Sequence, residues 1–374
     1  MKYDVPFIRP VLPSAEEITS DVKEIIAANW FTNFGPKERQ FATGIGNYVG
    51  QGLHAVTFAS ATLGLMAAMR VFIRPTSHER RFVIVPSFTF AAGPAAIRWA
   101  GLEPLFIDID PESLQPSLEA ARGAITKYGT RIGGILLCNT FGIGNPAIRE
   151  WETLAKVENL PLIIDSAAGF GSTYADGSMV GSAGTCEVFS FHATKPFAIG
   201  EGGAVVCRDE SFAQELRAFT NFGFSAGQGA SMLGLNGKLQ EISASIGLRQ
   251  LDKFDAALRD RRRTFRKFEA ELPSDVFRFP PGMAESSLCF ASAVLPNHEL
   301  REAALARLER DGIEARAYYA PAVHVQPYFS SAPRMDDLTH TLKVTSTILS
   351  IPLHQSMRPH AVQSIITALT GKMH

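Results

Sequence analysis

The chain has 374 residues, 46% of them hydrophobic and 20% charged, enough to close one large core and a smaller one and too apolar for disorder. Lys plus Arg number 36 against 37 Asp plus Glu, a net charge of -1, so no basic field exists to hold nucleic acid or an anionic membrane. Cys138, Cys186, Cys207 and Cys289 are scattered, lack CxxC or CxxH spacing, and read as reduced core residues of a cytoplasmic protein, not as disulfides or zinc ligands. MKYDVPFIRPVLPS at the start has no apolar signal core, and no apolar run approaches the ~20 residues of a membrane span, so neither export nor insertion is expected.

Short apolar strands alternate with helical stretches along the first two thirds. HAVTFAS (54–60) leads into ATLGLMAAMRVF (61–72), RFVIVPS (81–87) into AAGPAAIRWAG (91–101), and EPLFIDID (103–110) into PSLEAARGAITKY (116–128). GGILLCN (133–139) leads into AIREWETLAKVEN (147–159), and LPLIIDS (160–166), EVFSF (187–191) and GGAVVC (202–207) follow. Continuously apolar strands separated by helices predict a mostly parallel sheet covered on both faces, with ligands at the carboxyl ends of its strands. The helical stretch 241–272 reads as a hinge into a smaller α/β unit containing LCFASAVLP, HELREAALARLERDG, IEARAYY and MRPHAVQSIITALTG. The expected division is a large domain over 1–255, with an N-terminal arm, and a small one over 256–374.

The basic run Arg259, Arg261, Arg262, Arg263, Arg266 and Lys267 reads as a solvated helix face, because Phe254, Leu258, Phe265 and Phe268 fall at helical spacing on its other side. Two glycine groups mimic dinucleotide fingerprints. GIGNYVG (44–50) has the wrong last spacing and follows no strand, and FGIGNP (141–146) carries Pro146 where a helix should open; both read as turns.

Four features fall at strand ends. Ser60, Ala61 and Thr62 open a helix after a strand, where free amides and the positive helix end suit a phosphate; Ser60 is equally an ordinary N-cap. Phe88 and Phe90 leave the next strand, and an aromatic there either joins the core or stacks on a flat ring. Asp165 ends an apolar strand, where a buried carboxylate needs a partner, either the following turn or a protonated ring nitrogen. Lys195 sits between two strands, ahead of Gly200, Gly202 and Gly203; desolvation would make its amine a nucleophile toward carbonyls, unless the amine reaches solvent past its apolar stem. Taken together, these four are the arrangement that pyridoxal 5'-phosphate requires: a phosphate anchor, a ring cover, a pyridinium partner and a Schiff-base lysine.

At this point the sequence resembles the DegT/DnrJ/EryC1/StrS family of pyridoxal phosphate-dependent nucleotide-sugar aminotransferases. The resemblance runs through FTNFGPKERQF, FASATLGL, VIVPSFTFAAG, LFIDIDPESLQ, LIIDSAAGFGS, FSFHATKPFAIGEGGAVV, NFGF, GLNGKLQEISASIGLRQLD and ARAYYAPAVHVQPYF. It implies an α/β fold of the type I aminotransferase class and a homodimer with two shared active sites. It also implies roles, position by position. Lys195 would be the Schiff-base lysine and Asp165 the pyridinium partner. Ala61, Thr62 and Ser190 would bind the cofactor phosphate, and Phe90 would stack on the ring. Asn236 would reach the neighbouring subunit's cofactor phosphate; on local signals alone it is a helix N-cap, with Gln240 and Glu241 a turn later. Tyr319 and His324 would lie near the sugar.

Three positions bear on the family pattern. Ala168 stands where the family commonly has a glutamine contacting the cofactor's ring hydroxyl. Asn236-Gly237-Lys238 stands where Asn-Tyr-Arg is frequent, and a lysine cannot copy an arginine fork. Lys195 is kept where the 3-dehydratase branch has histidine, which favours transamination. The implied reaction moves an amino group from glutamate to a nucleotide-linked keto-deoxysugar, first choice C4 of a 4-keto-6-deoxyhexose. C3 amination, a sugar dehydratase and a non-catalytic regulatory protein are the other readings.

Overall fold

The computed structural model describes residues 3–73, 80–225, 229–355 and 357–371. Helices α1 (Ala15–Ala28) and α2 (Pro36–Val49) precede β1 (His54–Phe58). Then α3 (Ala61–Phe72), β2 (Phe82–Pro86), α4 (Ala92–Trp99), β3 (Glu103–Ile107), α5 (Leu118–Tyr128), β4 (Ile132–Cys138), α6 (Ile148–Val157) and β5 (Leu162–Asp165) alternate, and β6 (Cys186–Ser190), β7 (Gly203–Cys207) and α7 (Glu210–Thr220) follow. Among the described residues these strands form a seven-stranded sheet in the order β1-β7-β6-β5-β4-β2-β3. The pairs from β6 to β3 are parallel, while β7 runs antiparallel to both β6 and β1. All seven residues of β4 are buried, as its unbroken apolar sequence requires of a strand covered on both faces.

Helix placement follows apolar spacing. In α6, Ile148, Trp151, Leu154 and Ala155 are buried on one stripe. In α3, Gly64 lets the helix close on the sheet: a Cβ there would meet Val205 at 3.1 Å and Val188 at 3.3 Å. GIGNYVG is not a turn. Gly44 and Gly46 lie inside α2 and Gly50 is its C-cap, because the apolar stripe Phe41, Ile45, Val49 outweighs the glycines' helix-breaking tendency. FGIGNP begins within a 3₁₀ turn at Thr140–Gly142 and is irregular beyond it, a turn as expected.

A two-residue hairpin, β8 (Phe224–Ser225) with β9 (Gly229–Ala230), precedes α8 (Glu241–Leu251) and α9 (Phe254–Glu271). The helical stretch 241–272 is therefore two helices, broken at Asp252-Lys253. The expected boundary at residue 255 falls in the first turn of α9. Beyond it, β10 (Ala291–Val294) pairs antiparallel with β11 (Ile348–Ile351), flanked by α10 (His298–Arg310), α11 (Thr339–Thr347) and α12 (Pro359–Thr370). Phe265, Phe268, Leu308, Ile348 and Ile365 build a core of their own there. Val5 and Phe7, grouped with the larger unit on sequence alone, pack into this second core, with Val5 bridged to Ile313.

The basic run on α9 is only partly solvated. Arg261 is buried, and its Nη1 donates to the carbonyls of Leu288 and Leu353 at 2.9 Å each. Arg262 donates to the carbonyls of Gly171, Glu285 and Ser286. Both guanidiniums satisfy backbone acceptors where the two cores meet, a use of arginine that helical periodicity cannot show.

Candidate active site

The carboxyl ends of β5 and β6 and the start of α3 surround a cavity of about 510 Å³. Asp165 ends β5, is 6% exposed and lines this cavity. Its Oδ1 accepts one hydrogen bond, from Ala167 N–H at 3.0 Å. Burial pushes its carboxyl up from the usual range, and the Ala167 N–H and the charge of Lys195 pull it back. A cation placed against Asp165 would relieve that cost.

Lys195 lies in the loop between β6 and β7, and its N–H donates to the carbonyl of His192 at 2.9 Å. Its side chain lines the same cavity, and among the described residues its Nζ has neither a hydrogen bond nor an ion pair. Nearby, His192 Nδ1 bonds Thr194 Oγ1 at 2.8 Å, and His192 Nε2 lies 3.5 Å from Glu201.

At another wall, Ser60 is the N-cap of α3, its Oγ accepting from Leu63 N–H at 3.4 Å. Ser60 is thus the ordinary cap foreseen, and among the described residues the N–H groups of Ala61 and Thr62 remain as free donors at the positive helix end. Ala61, Thr62 and Ser190 all line the cavity. Gly203 makes this wall possible: a Cβ there would sit 2.6 Å from Ala61 N and 2.8 Å from the carbonyl oxygen of Phe189.

Phe88 and Phe90 differ in placement. Phe88 is fully buried, while Phe90 is 61% exposed and forms part of the cavity wall. Tyr319 also lines the cavity, stacked on Phe141 with ring centroids 5.4 Å apart. Burial raises its hydroxyl well above the usual range.

Two expected site residues do not reach the cavity. His324 is 3% exposed and closes on Ser87: its ring Nδ1 lies 2.6 Å from Ser87 Oγ, which also accepts its backbone N–H at 3.0 Å. Ser87 opens the loop after β2 that carries Phe90, so His324 braces that wall from behind. Asn236 is exposed and bridges Asn221. It does not cap a helix; Gln240 occupies the N-cap of α8.

Other lining residues were not foreseen. Cys138 and Cys289 lie beside Lys195, with Thr89 Oγ1 donating to Cys138 Sγ at 3.3 Å and Cys289 Sγ donating to the carbonyl of Thr194 at 3.2 Å. Burial pushes the Cys138 thiol up to about 12 and raises that of Cys289. Ile8, Phe290 and Tyr318 arrive from the far ends of the chain. Only Cys138, one residue past the apolar core of its strand, carried a local signal.

A sequence model described as the DegT/DnrJ/EryC1/StrS aminotransferase family matches residues 13–370. The chain belongs to that family. A Mycobacterium tuberculosis protein is 45% identical over 98% of this chain and 89% of its own. The dTDP-4-amino-4,6-dideoxy-D-glucose transaminase of Shigella dysenteriae is 26% identical over 96% of this chain and 97% of its own. Among solved structures, a PLP-dependent aminotransferase from Bacillus cereus superposes with TM-score 0.90 at 31% identity, covering 98% of this chain and 99% of that one.

Pyridoxal phosphate is the cofactor of this aminotransferase, and the residues present fit it. Among the described residues, an amine without a hydrogen-bond partner, a buried carboxylate with one donor and a helix start with free N–H groups share one cavity. The glutamine missing at Ala168 is not replaced by another amide. Asn139 supplies the one side-chain amide among the described cavity-lining residues, and its Nδ2 is engaged by Ser166 Oγ at 2.9 Å and Tyr174 Oη at 3.1 Å. The Ala168 carbonyl instead accepts a hydrogen bond from Ser287 Oγ. Lys238 of the aminotransferase lies outside the cavity, its Nζ donating to Asn221 Oδ1 at 3.1 Å and sitting 5.0 Å from the centre of the Phe222 ring.

Proposed function

We propose that this aminotransferase moves an amino group from glutamate to the keto carbon of a nucleotide-linked deoxysugar, with C4 of a 4-keto-6-deoxyhexose as the first choice. The observation that carries the reading is the pairing of Lys195, an amine with no partner, with the buried carboxylate of Asp165 in one cavity. The Shigella relative, whose name states a 4-amino-4,6-dideoxy sugar, supports the choice of carbon.

Bound pyridoxal phosphate supplies an aldehyde that condenses with amines and a ring that takes up electrons. Lys195 Nζ, which faces the cavity, would be the group that holds the cofactor until an amino donor takes its place. The freed amine then takes the proton from the donor's α-carbon and, in the second half, delivers one to the sugar carbon. Asp165 keeps the ring nitrogen protonated by accepting its hydrogen bond. Ala61, Thr62 and Ser190 hold the phosphate, and Phe90 covers a ring face. Tyr319 packs against the reacting end and, with Cys289 and Phe290, keeps water out.

Asn236, exposed, and Lys238, half-buried, both outside the cavity of their own chain, contribute to the site of a second copy in a homodimer. The exposure of Asn236, and of Phe222 under the Lys238 amine, 49% exposed, supports this arrangement.

The deciding experiment incubates the protein with pyridoxal phosphate, glutamate and a panel of dTDP-, UDP- and GDP-linked 3-keto and 4-keto sugars. Mass spectrometry should find one aminodeoxysugar, formed only with glutamate. Loss of water from the sugar without nitrogen gain would identify a dehydratase instead. No turnover of any sugar by cofactor-loaded protein would overturn the reading.

A further inference from the structure

β5 and β6 pair with Ile164 opposite Glu187 and Asp165 opposite Val188. Side chains alternate across a strand, so Ser166 and Glu187 lie on the sheet face opposite Asp165. Glu187 is 0% exposed and takes no part in the cavity. Four donors converge on its carboxylate. Oε1 accepts from Gly181 N–H at 2.6 Å, Ala183 N–H at 3.0 Å and Tyr174 Oη at 3.0 Å, and Oε2 accepts from Ser166 Oγ at 2.5 Å. Asn139 closes the network: its side chain donates to Ser166 and Tyr174, and its backbone N–H donates to the Asp165 carbonyl at 3.0 Å.

Burying a carboxylate behind a sheet costs several kcal/mol unless its oxygens are fully hydrogen-bonded. Ile164 and Phe189 show that an apolar side chain fits this face. What the carboxylate adds is a fixed bond to Ser166, the residue after Asp165. The same turn is held further along by the bond from Ser287 to the Ala168 carbonyl.

We propose that Glu187 is a positioning residue for Asp165, setting the aim of that carboxylate from behind the sheet through Ser166 and Asn139. The inference rests on the reading of Asp165 as the ring-nitrogen partner.

Ser166→Ala tests it, because it deletes the link to the turn and leaves the other three bonds to Glu187 in place. Holoenzyme is compared with Ser166→Ala, Glu187→Gln and Asp165→Asn by thermal midpoint, by kcat and KM for both substrates, and by pH titration of the bound cofactor's absorbance. Ser166→Ala should keep its fold and nearly its KM values, lose kcat by roughly 10- to 100-fold, and shift the absorbance titration, since a misplacement of about 1 Å costs on that scale. Glu187→Gln should move kcat and the titration the same way; if it does not fold, Ser166→Ala decides alone. A folded Ser166→Ala with kcat within about twofold and an unshifted titration overturns the inference. So does a Ser166→Ala that loses thermal midpoint and activity together while its titration stays put, which marks a purely structural bond. If Asp165→Asn itself keeps full rate, the reading of Asp165 fails instead.

Discussion

Lys195 and Asp165 reach one cavity from different segments, and the charge of the lysine opposes the burial that raises the proton affinity of the carboxyl. Neither group is satisfied by the protein alone: Asp165 has one donor, and the Nζ of Lys195 has no bonding partner among the described residues. The cofactor proposed for this cavity would satisfy both.

Lys195→Ala removes the amine that must bind and then shuttle protons. Turnover should fall by at least roughly 10³-fold, about 4 kcal/mol on the barrier. Borohydride reduction of cofactor-loaded parent, followed by digestion, should leave a pyridoxyl adduct on the peptide containing Lys195 and none on the variant. An adduct elsewhere in the parent would reassign the lysine.

Asp165→Asn keeps shape but loses the negative charge that favours a protonated ring. We expect kcat to drop by roughly 10²-fold or more, about 3 kcal/mol, with modest change in KM. Steady-state kinetics on holoenzyme checks this; a near-parental kcat removes Asp165 from the role.

Gly203→Ala puts a Cβ 2.6 Å from Ala61 N, so the start of α3 must move. The expected result is weaker cofactor binding, by about tenfold or more, through a misplaced phosphate anchor. Equilibrium dialysis with pyridoxal phosphate measures it. Unchanged affinity would mean that Ala61 and Thr62 do not hold the phosphate.

Arg261→Met should destabilise the fold by roughly 2–4 kcal/mol, because two buried carbonyls lose their donor. Arg263, exposed on the same helix and paired with Asp260, should tolerate Ala within about 0.5 kcal/mol. Urea midpoints of the two variants give the comparison. Equal effects would return the whole run to a solvated face.

Burial holds His324 and His354 below the usual histidine range. Both are neutral when folded, whereas unfolded histidines take up protons below about 6.5. Their contribution to stability is therefore complete above that pH and is lost as pH falls beneath it. Glu187, pushed up to about 7, acts in the opposite direction: its contribution is largest below the ordinary glutamate range and is lost as pH rises through 7. His324→Gln should therefore flatten the acid-side loss of stability relative to the parent in urea titrations between pH 7.5 and 5. Identical slopes would show that His324 is not a neutral buried group.

Much was legible in the chain itself. Continuous apolar strands such as 132–138 can satisfy their pattern only inside a covered parallel sheet, and helix α3 was bounded to the residue by its N-cap serine and apolar run. Lys195, Asp165 and the Ala61-Thr62 helix start were visible because a charge or free amide at an apolar strand end is costly without a ligand. Helices α1 and α7 carried local signals that were not read, a Ser14–Glu17 capping box and an Asp209 N-cap, whereas α11 has no side-chain cap and β11 is only four residues long.

Folding in three dimensions settled what spacing could not. Local signals made Asn236 a helix cap; the chain caps α8 with Gln240 and leaves Asn236 exposed. His324 turned inward to Ser87, Arg261 turned inward to two carbonyls, and Cys289 and Phe290 came from a second core to wall the cavity. The sequence by itself determined which residues could do chemistry, since that depends on each side chain's cost of burial. Which of them meet, and what stands behind them, was decided only by packing between segments far apart in the chain, where contact energy owes nothing to sequence distance.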